Sequence, residues 1–306
     1  MNKYYAGIDM GGTNTVIGIV GVNGKILLKT VISTYEYDTP EKYAESLSVI
    51  IDEMQKKMGV KISGIGIGAP NGNFYSGTIE FAPNLKWRGV IPLASYIEKY
   101  SGIKTVLTND ANAAALGEFY FGGAKKMKNF IIITLGTGVG TGIIVNGQLV
   151  YGNDGFAGEA GHLILFPDGR KCACGRKGCF ESYCNAKGIV TTYVELSGGV
   201  DDSILLNPEI IYKKAISGDE TAIKTYQKTG DILGLAMANL ICIFNPEAIF
   251  LMGGIMNCGD MIMKPALKST DYNVLSLLRK KTQILKSFLP ESDAAVLGAA
   301  SLCFLN

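Results

Sequence analysis

The chain has 306 residues, of which 47% are hydrophobic and 18% are charged, an ordinary balance for a globular protein long enough for two domains. Its 29 lysines and arginines nearly balance 27 aspartates and glutamates, so a net charge of +2 gives no reason to expect nucleic acid or an anionic membrane as a partner. The sequence has no signal-peptide pattern and no apolar run of about 20 residues, which predicts a cytoplasmic protein.

The first 120 residues combine strand and helix patterns. Strands are predicted over residues 4–9, 15–22, 26–33, 61–68 and 104–108, and helices over residues 40–58, 92–100 and 110–120. The polar stretch 69–87 is too long for a simple connection, so we interpret it as a binding loop. Strands that first meander and then alternate with helices predict an α/β layer of mixed strand direction.

The second half of the chain repeats the plan of the first. Predicted strands over residues 130–135 and 141–145 flank a Gly/Thr-rich turn, as the strands around residues 9–14 do. Helices are predicted over residues 186–196, 208–217, 220–244 and 294–304, with a buried strand over 248–252. We interpret this repeated order of strand, turn and strand as an internal duplication. No low-complexity linker separates the two halves, which we interpret as a sign of two hinged domains around a cleft.

Each half presents one turn of a size that suits a phosphate. In the first, the glycines let backbone N–H groups converge on an anion and the threonine adds a hydroxyl, in Asp9-Met10-Gly11-Gly12-Thr13. No Walker lysine follows, and Asp9 is predicted to hold Mg²⁺ through water. The alternative is a hairpin turn without ligand. The matching turn Gly136-Thr137-Gly138 favours two loops that grip one triphosphate, and Gly253-Gly254 could offer bare backbone to an adenosine.

Asn109 and Asp110 follow a predicted strand and begin a predicted helix. Asn and Asp are common helix caps, which is one reading of the pair. The other is that Asp110 accepts the proton of an attacking hydroxyl in phosphoryl transfer while Asn109 holds a sugar. Both readings can hold for adjacent residues.

The only histidine lies close to three of the seven cysteines, and the four are His162, Cys172, Cys174 and Cys179. One imidazole and three thiols form the ligand set of a closed, structural zinc site. The alternatives are a chance cluster of cysteines and a disulfide pair. One histidine precedes three cysteines here, which is not the order of ligands in a DNA-reading zinc finger. His162 bound to zinc would be a hydrogen-bond donor of fixed orientation between the acceptors Glu159 and Glu181, an arrangement that suits a polyhydroxylated ligand. The alternative is that both glutamates are solvated surface residues.

Taken together, these motifs resemble the ROK family (repressors, open reading frames, kinases). The motifs that carry the resemblance are Asp9–Thr13, Asn109-Asp110-Ala111-Asn112-Ala113-Ala114, Leu135–Gly140, Gly158-Glu159-Ala160-Gly161-His162 and the cysteine cluster, and within the family they are most similar to glucokinases. The resemblance implies an α/β, actin-like ATPase fold with a duplicated ribonuclease-H-like core. It implies a small domain of residues 1–115 plus 294–306, a large domain of residues 116–293 with the zinc, and a homodimer.

The resemblance also implies the roles of site residues. Asp110 would be the catalytic base, and the sugar would be contacted by Asn84, Asn109, Glu159, His162, Glu181 and the loop around Gly72. The expected activity is transfer of phosphate from ATP, with Mg²⁺, to the 6-hydroxyl of a hexose, glucose first. Where many members have Pro-Gly, this chain has Pro70-Asn71, which leaves an N-acetylhexosamine kinase as an alternative. A sugar-responsive transcriptional regulator is another, although family repressors carry an added N-terminal DNA-binding domain, for which we expect no room here.

Overall fold

The computed structural model describes residues 3–199 and 205–304 of the chain. Its first part contains eight strands and three helices, in the order β1 Tyr4–Met10, β2 Asn14–Gly21, β3 Ile26–Ser33, α1 Pro40–Met58, β4 Ile62–Gly68, β5 Gly72–Asn73, β6 Thr78–Glu80, β7 Val90–Ile91, α2 Leu93–Ser101, β8 Thr105–Thr108 and α3 Asp110–Tyr120. The long helix α1 has clear end signals. Thr39 caps its first turn by accepting a hydrogen bond from Lys42 N, Pro40 follows at the first helical position, and Gly59 ends it at φ 61°.

The second part begins with three more strands and then becomes mostly helical. Its elements are β9 Phe130–Leu135, β10 Val139–Val145, β11 Gln148–Leu149, α4 Glu181–Cys184, α5 Ala186–Ser197, α6 Pro208–Ile216, α7 Glu220–Phe244, β12 Ala248–Met252, α8 Asp260–Asn273, β13 Gln283–Lys286 and α9 Glu291–Ser301. Short 3₁₀ turns cover Ala160–His162, Gly254–Cys258, Ser276–Leu278 and Leu302–Phe304.

Two five-stranded sheets share one topology, which confirms the predicted duplication. The first sheet has the order β3-β2-β1-β4-β8 and the second has the order β11-β10-β9-β12-β13. In the first, β1 pairs antiparallel with β2 and parallel with β4. In the second, β9 pairs antiparallel with β10 and parallel with β12. Equivalent turns therefore follow β1 and β9 at equivalent edges of the two sheets.

The helix α9 returns from the second sheet to pack on the first. A Cβ atom at Gly7 or Gly66, on the neighbouring strands β1 and β4, would collide with the backbone carbonyl of Val296 or Ala299. Glycine at these positions lets the helix backbone lie directly on the sheet. Val296 and Ala300 share a buried cluster with residues of β1 and β2. Residues 1, 2, 200–204, 305 and 306 of the predicted domain ranges lie outside the described residues, and the domain division stays a prediction.

Three predictions about the elements were wrong or incomplete. The stretch predicted as a loop over residues 69–87 contains β5 and β6, which form a small third sheet with β7. The strand predicted from Thr141 begins at Val139, so only residues 136–138 are left as the turn. The strands β7, β11 and β13 and the one-turn helix α4 were not predicted, because two to four residues carry too little periodicity to identify an element. The helix α8, although it has 14 residues, was not predicted with bounds either. Within residues 3–199 and 205–304, no helix has both the length and the apolar character needed to cross a lipid bilayer.

Candidate active site

The predicted site residues lie around the carboxyl ends of strands from both sheets. The strand β8 ends at Thr108, and its neighbour β4 ends at Gly68, where an added Cβ would lie 3.7 Å from Asp110 Cα. The strand β10 of the second sheet begins beside the same carboxylate, since a Cβ at Gly140 would lie 3.9 Å from Asp110 Oδ1. Asp110 is therefore at the junction of the two sheets, the position that suits a group acting between two bound ligands.

Asp110 and Asn109 begin helix α3. The side-chain oxygen of Asn109 accepts a hydrogen bond of 2.7 Å from Asn112 N, so this residue is the helix cap that one reading of the sequence predicted. Its amide nitrogen is left as the group that could face a ligand. Asp110 exposes part of its side chain to the cleft, and its Oδ1 accepts a 2.8 Å bond from Ala111 N. Protein encloses the remaining sides of the Asp110 carboxyl, and this burial raises its pKa.

Asp9 lies near the end of β1, next to the first glycine turn. Burial, and then the negative charge of Asp110, raise its pKa to about 6. The turn is held by a 2.9 Å hydrogen bond from Gly11 N to Asn14 O, and Thr13 O accepts a 2.8 Å bond from Thr34 N. A Cβ at Gly12 would collide with the carbonyl of Asn84, so glycine lets the turn contact the segment predicted to hold the sugar.

The second glycine turn is hydrogen-bonded to Glu181 on α4 and to the start of α5. Gly136 N donates to Gly138 O at 3.0 Å, and Ala186 N donates to Gly136 O at 2.9 Å. Asn185 Nδ2 donates to Thr137 O at 3.0 Å. Glu181 Oε2 accepts a 2.9 Å bond from Val139 N, directly after the turn. One oxygen of this predicted sugar ligand is thus used to hold the turn, and the other is left for a ligand.

Asn71 occupies the position at which the sequence departs from the Pro-Gly pattern. Its φ is 50°, in the left-handed region that glycine adopts freely and asparagine tolerates better than most residues. Asn71 Nδ2 donates to Glu80 O at 3.0 Å, and Glu80 N donates to Asn71 O at 3.1 Å. Asparagine therefore keeps the backbone shape of a glycine and adds a polar side chain. The following Gly72 is buried against the end of β8.

A cavity of about 490 Å³ lies beside these residues and is lined by Asn71, Phe156, Glu159, His162, Leu163 and Arg176. Glu159 has a raised pKa, chiefly because of burial, while His162 acts in the opposite direction and the charges of Asp110 and Glu181 add to the rise. Carboxylates that influence one another in this way are close together. The structure therefore places Glu159 and His162 on the wall of this cavity, and Asp110 and Glu181 close enough to Glu159 to act on its charge.

The four predicted metal ligands are also brought together. The ligand atoms of His162, Cys172, Cys174 and Cys179 all lie within 4.8 Å of one another. His162 Nδ1 is 3.7 Å from Cys172 Sγ, and Cys174 Sγ is 3.7 Å from Cys179 Sγ. In a tetrahedral site with zinc–sulfur bonds of about 2.3 Å, two sulfurs are about 3.8 Å apart. The donor set and its spacing fit zinc, and the side-chain hydrogen bond with Arg176 lowers the pKa of Cys174 to about 6.

Gly253 and Gly254 follow β12, and the backbone at Gly253 lies against the carbonyl of Leu135, at the end of β9. They are therefore at the same edge of the second sheet as the turn 136–138. Phe156, Arg176 and Asn185 were not predicted as site residues. Arg176 and Asn185 lie inside or next to recognised motifs, so sequence position could have suggested them, whereas nothing in the sequence marks Phe156.

Comparison with known proteins gives matches over most of the chain. A sequence model of the ROK family matches residues 5–304. The glucokinase of Streptomyces coelicolor is 36% identical over 277 residues, which cover 86% of this chain and 86% of that protein. The xylose repressor of Bacillus subtilis is 31% identical over 303 residues, covering 98% of this chain and 76% of the repressor. A crystal structure of a ROK family glucokinase from Streptomyces griseus with glucose and AMPPNP has a TM-score of 0.82 at 31% identity, covering 99% of this chain and 100% of that one.

Proposed function

The chain belongs to the ROK family and has its actin-like ATPase fold, and from this premise we propose that it is an ATP-dependent sugar kinase. The reaction we propose is phosphorylation of a hexose at its 6-hydroxyl, with glucose as the first candidate. The observation that carries the proposal is Asp110, whose carboxylate faces the cleft where the two sheets meet. The glucokinase relatives and the glucose complex of one of them support the choice of sugar.

Each predicted residue has a role in this proposal. Asp110 accepts the proton of the attacking hydroxyl, and its raised pKa brings its basicity closer to the working pH. Backbone N–H groups of the turns at 11–13 and 136–138, with the hydroxyls of Thr13 and Thr137, bind the phosphates. Asp9 binds Mg²⁺, which neutralises phosphate charge. Glycine backbone at 253–254 is the surface for the adenosine.

The sugar is held by residues from both sides of the cleft. We assign its hydroxyls to Asn109, Glu159, His162 and Glu181, with Asn84 and the loop at Gly72 on the side of the first sheet. His162 turns Nδ1 toward the cysteine cluster, so Nε2 is the nitrogen that can donate to a hydroxyl. Zinc held by His162 and the three cysteines would fix this tautomer and orient the ring.

The alternative sugar is an N-acetylhexosamine. Asn71 lines the cavity with an additional amide, and that cavity is large enough for a substituent beyond a plain hexose. A sugar-responsive regulator is a second candidate function, and the likeness to the xylose repressor is the observation in its favour. Such a regulator needs the sugar site and has no use for a carboxylate placed to accept a proton, which is why we favour the kinase.

A coupled assay of ADP release tests the proposal. The protein is supplied with Mg²⁺, ATP and, one at a time, glucose, mannose, allose, N-acetylglucosamine and N-acetylmannosamine. We expect the highest kcat/KM with glucose. A preference for an N-acetyl sugar keeps the reaction and changes the substrate, and sugar binding without turnover would support the regulator instead. We also propose a homodimer, for which light scattering should give twice the chain mass of 32.7 kDa.

A further inference from the structure

Glu118 lies near the C-terminal end of α3, and its side chain is fully buried. Its carboxylate is the acceptor of three hydrogen bonds. Oε2 accepts from Gly123 N at 2.7 Å, and Oε1 accepts from Phe288 N at 2.9 Å and from the Ser287 hydroxyl. A carboxylate has two acceptor oxygens and no donor, so it fits three donors. We call Glu118 and its three donors the Glu118 network.

The donors of the Glu118 network come from the two segments through which the chain passes between its sheets. Residues 121–129 lead from α3 to β9, the first strand of the second sheet. Residues 287–290 lead from β13 back to α9, which packs on the first sheet. Ser287 N also donates to Leu251 O at 2.8 Å, which joins the returning segment to β12. One buried carboxylate therefore holds both crossings to α3.

The opposite end of the same helix carries Asp110. Between the two ends, α3 contacts α9 so closely that a Cβ at Gly298 would collide with the carbonyl of Ala113. On its other side, a Cβ at Gly142 of β10 would collide with the carbonyl of Ala111. The helix is thus packed between the two sheets, and a shift along its axis would move Asp110 relative to the turn at 136–138.

We propose that Glu118 is a positioning residue, which joins the two crossing segments to α3 and thereby sets the place of Asp110 against the second sheet. Its effect on turnover rests on the proposed kinase function. In-line phosphoryl transfer is sensitive to the placement of the base, and a displacement of about 1 Å can lower a rate by about 10²-fold. Sugar binding uses several groups on both sides of the cleft, so it should depend less on this placement.

The test compares Glu118→Gln with the unmodified protein. Glutamine keeps the shape but replaces one oxygen by an NH₂ group, so either Gly123 N or the pair at Ser287 and Phe288 loses its acceptor. We expect hydrogen exchange at the Gly123 or Phe288 amide to become at least about tenfold faster. We also expect kcat to fall about tenfold while KM for the sugar changes less than about twofold.

Two further variants complete the comparison. Ser287→Ala removes one donor and leaves the carboxylate in place, so it should shift exchange and kcat in the same direction by less, and it replaces Glu118→Gln if that variant does not fold. Thr225→Val removes a 2.8 Å hydrogen bond of similar burial within α7, outside both crossing segments, and should leave kcat unchanged.

Unchanged exchange at both amides would overturn the Glu118 network. Faster exchange with an unchanged kcat in Glu118→Gln would overturn the positioning role. The role would also be overturned if Thr225→Val had the same Tm as Glu118→Gln and lost as much kcat. Absence of turnover in the unmodified protein would count against the kinase proposal, and the exchange data would still decide whether Glu118 joins the crossings.

Discussion

The carboxylates Asp9 and Asp110 lie close enough together that the negative charge of Asp110 adds to the rise in the pKa of Asp9. Asp110 has a raised pKa because protein replaces much of the water around it. A group in that situation lowers the stability of the folded protein at neutral pH, since its charged form is better solvated in the unfolded chain. A residue that costs stability and faces a cleft is typical of a catalytic group.

We therefore expect Asp110→Asn to separate turnover from binding. Loss of the proton acceptor should lower kcat by about 10²–10⁴-fold, while the Tm stays equal or rises because the unfavourable charge is gone. Trp87, the only tryptophan, lies beside the segment of Asn84, so its fluorescence should still report sugar binding. Asp52→Asn, the same change on the exposed face of α1, is the control. Turnover retained in Asp110→Asn would refute the assigned base.

Asp9 gives the proposed activity a dependence on pH and magnesium. Its pKa is raised from 3.8 to about 6, which means that the folded protein favours the protonated, neutral side chain. The free energy of unfolding is therefore higher at low pH and falls as pH rises through this range and Asp9 becomes charged. Below about pH 6 the protonated, neutral carboxyl attracts Mg²⁺ poorly, and kcat/KM should fall by up to about tenfold per pH unit.

Because Mg²⁺ competes with the proton for Asp9, more Mg²⁺ should move the acid limb of the pH profile to lower pH. The pKa of Asp110 is raised as well, so a pH profile alone does not separate the two carboxylates, and the shift with magnesium is what identifies Asp9. The measurement is kcat/KM against pH at two Mg²⁺ concentrations. Identical acid limbs at both concentrations would contradict a magnesium role for Asp9.

Among the elements, most of the long and periodic ones could be predicted from sequence, whereas the helix α8 and the short ones could not. The helices α1 and α7 have caps and apolar spacing within their own residues, so local sequence determines them. The strands β5, β6 and β7 have two or three residues each and exist because they pair with one another. The left-handed backbone of Asn71 and the Glu118 network likewise depend on tertiary contacts. Motifs indicated the residues around the cleft, but not which oxygens are already used in holding the turns.

In the loop that carries three cysteines, Cys174 and the residues around it are exposed, so little side-chain packing holds this part of the loop. We expect Cys174→Ala to lose zinc and, through a less fixed His162, to bind sugar about tenfold more weakly. Elemental analysis and Trp87 fluorescence measure the two effects. Cys242→Ala, at an exposed position on α7, is the control and should change neither. An unchanged zinc content in Cys174→Ala would refute the metal site.

At the scale of the whole molecule, the two sheets place their glycine turns at equivalent edges and face one cleft with them. A nucleotide bound by both turns and a sugar bound from both sides would each draw the same two halves together. The free energy of bringing the halves together then has to be supplied only once when both ligands are present, so binding of one should favour binding of the other.

This coupling can be measured without any turnover. We expect AMPPNP with Mg²⁺ to lower the Kd for glucose by at least about fivefold, the lower end of typical coupling between sites. Calorimetric titration of glucose with and without the nucleotide gives the ratio, and linkage requires the reverse titration to give the same factor. AMP, which lacks the β- and γ-phosphates that we propose the second turn binds, is the control and should have a smaller effect. Equal glucose affinity with and without AMPPNP would mean that the two sites are independent and that the halves do not close on their ligands.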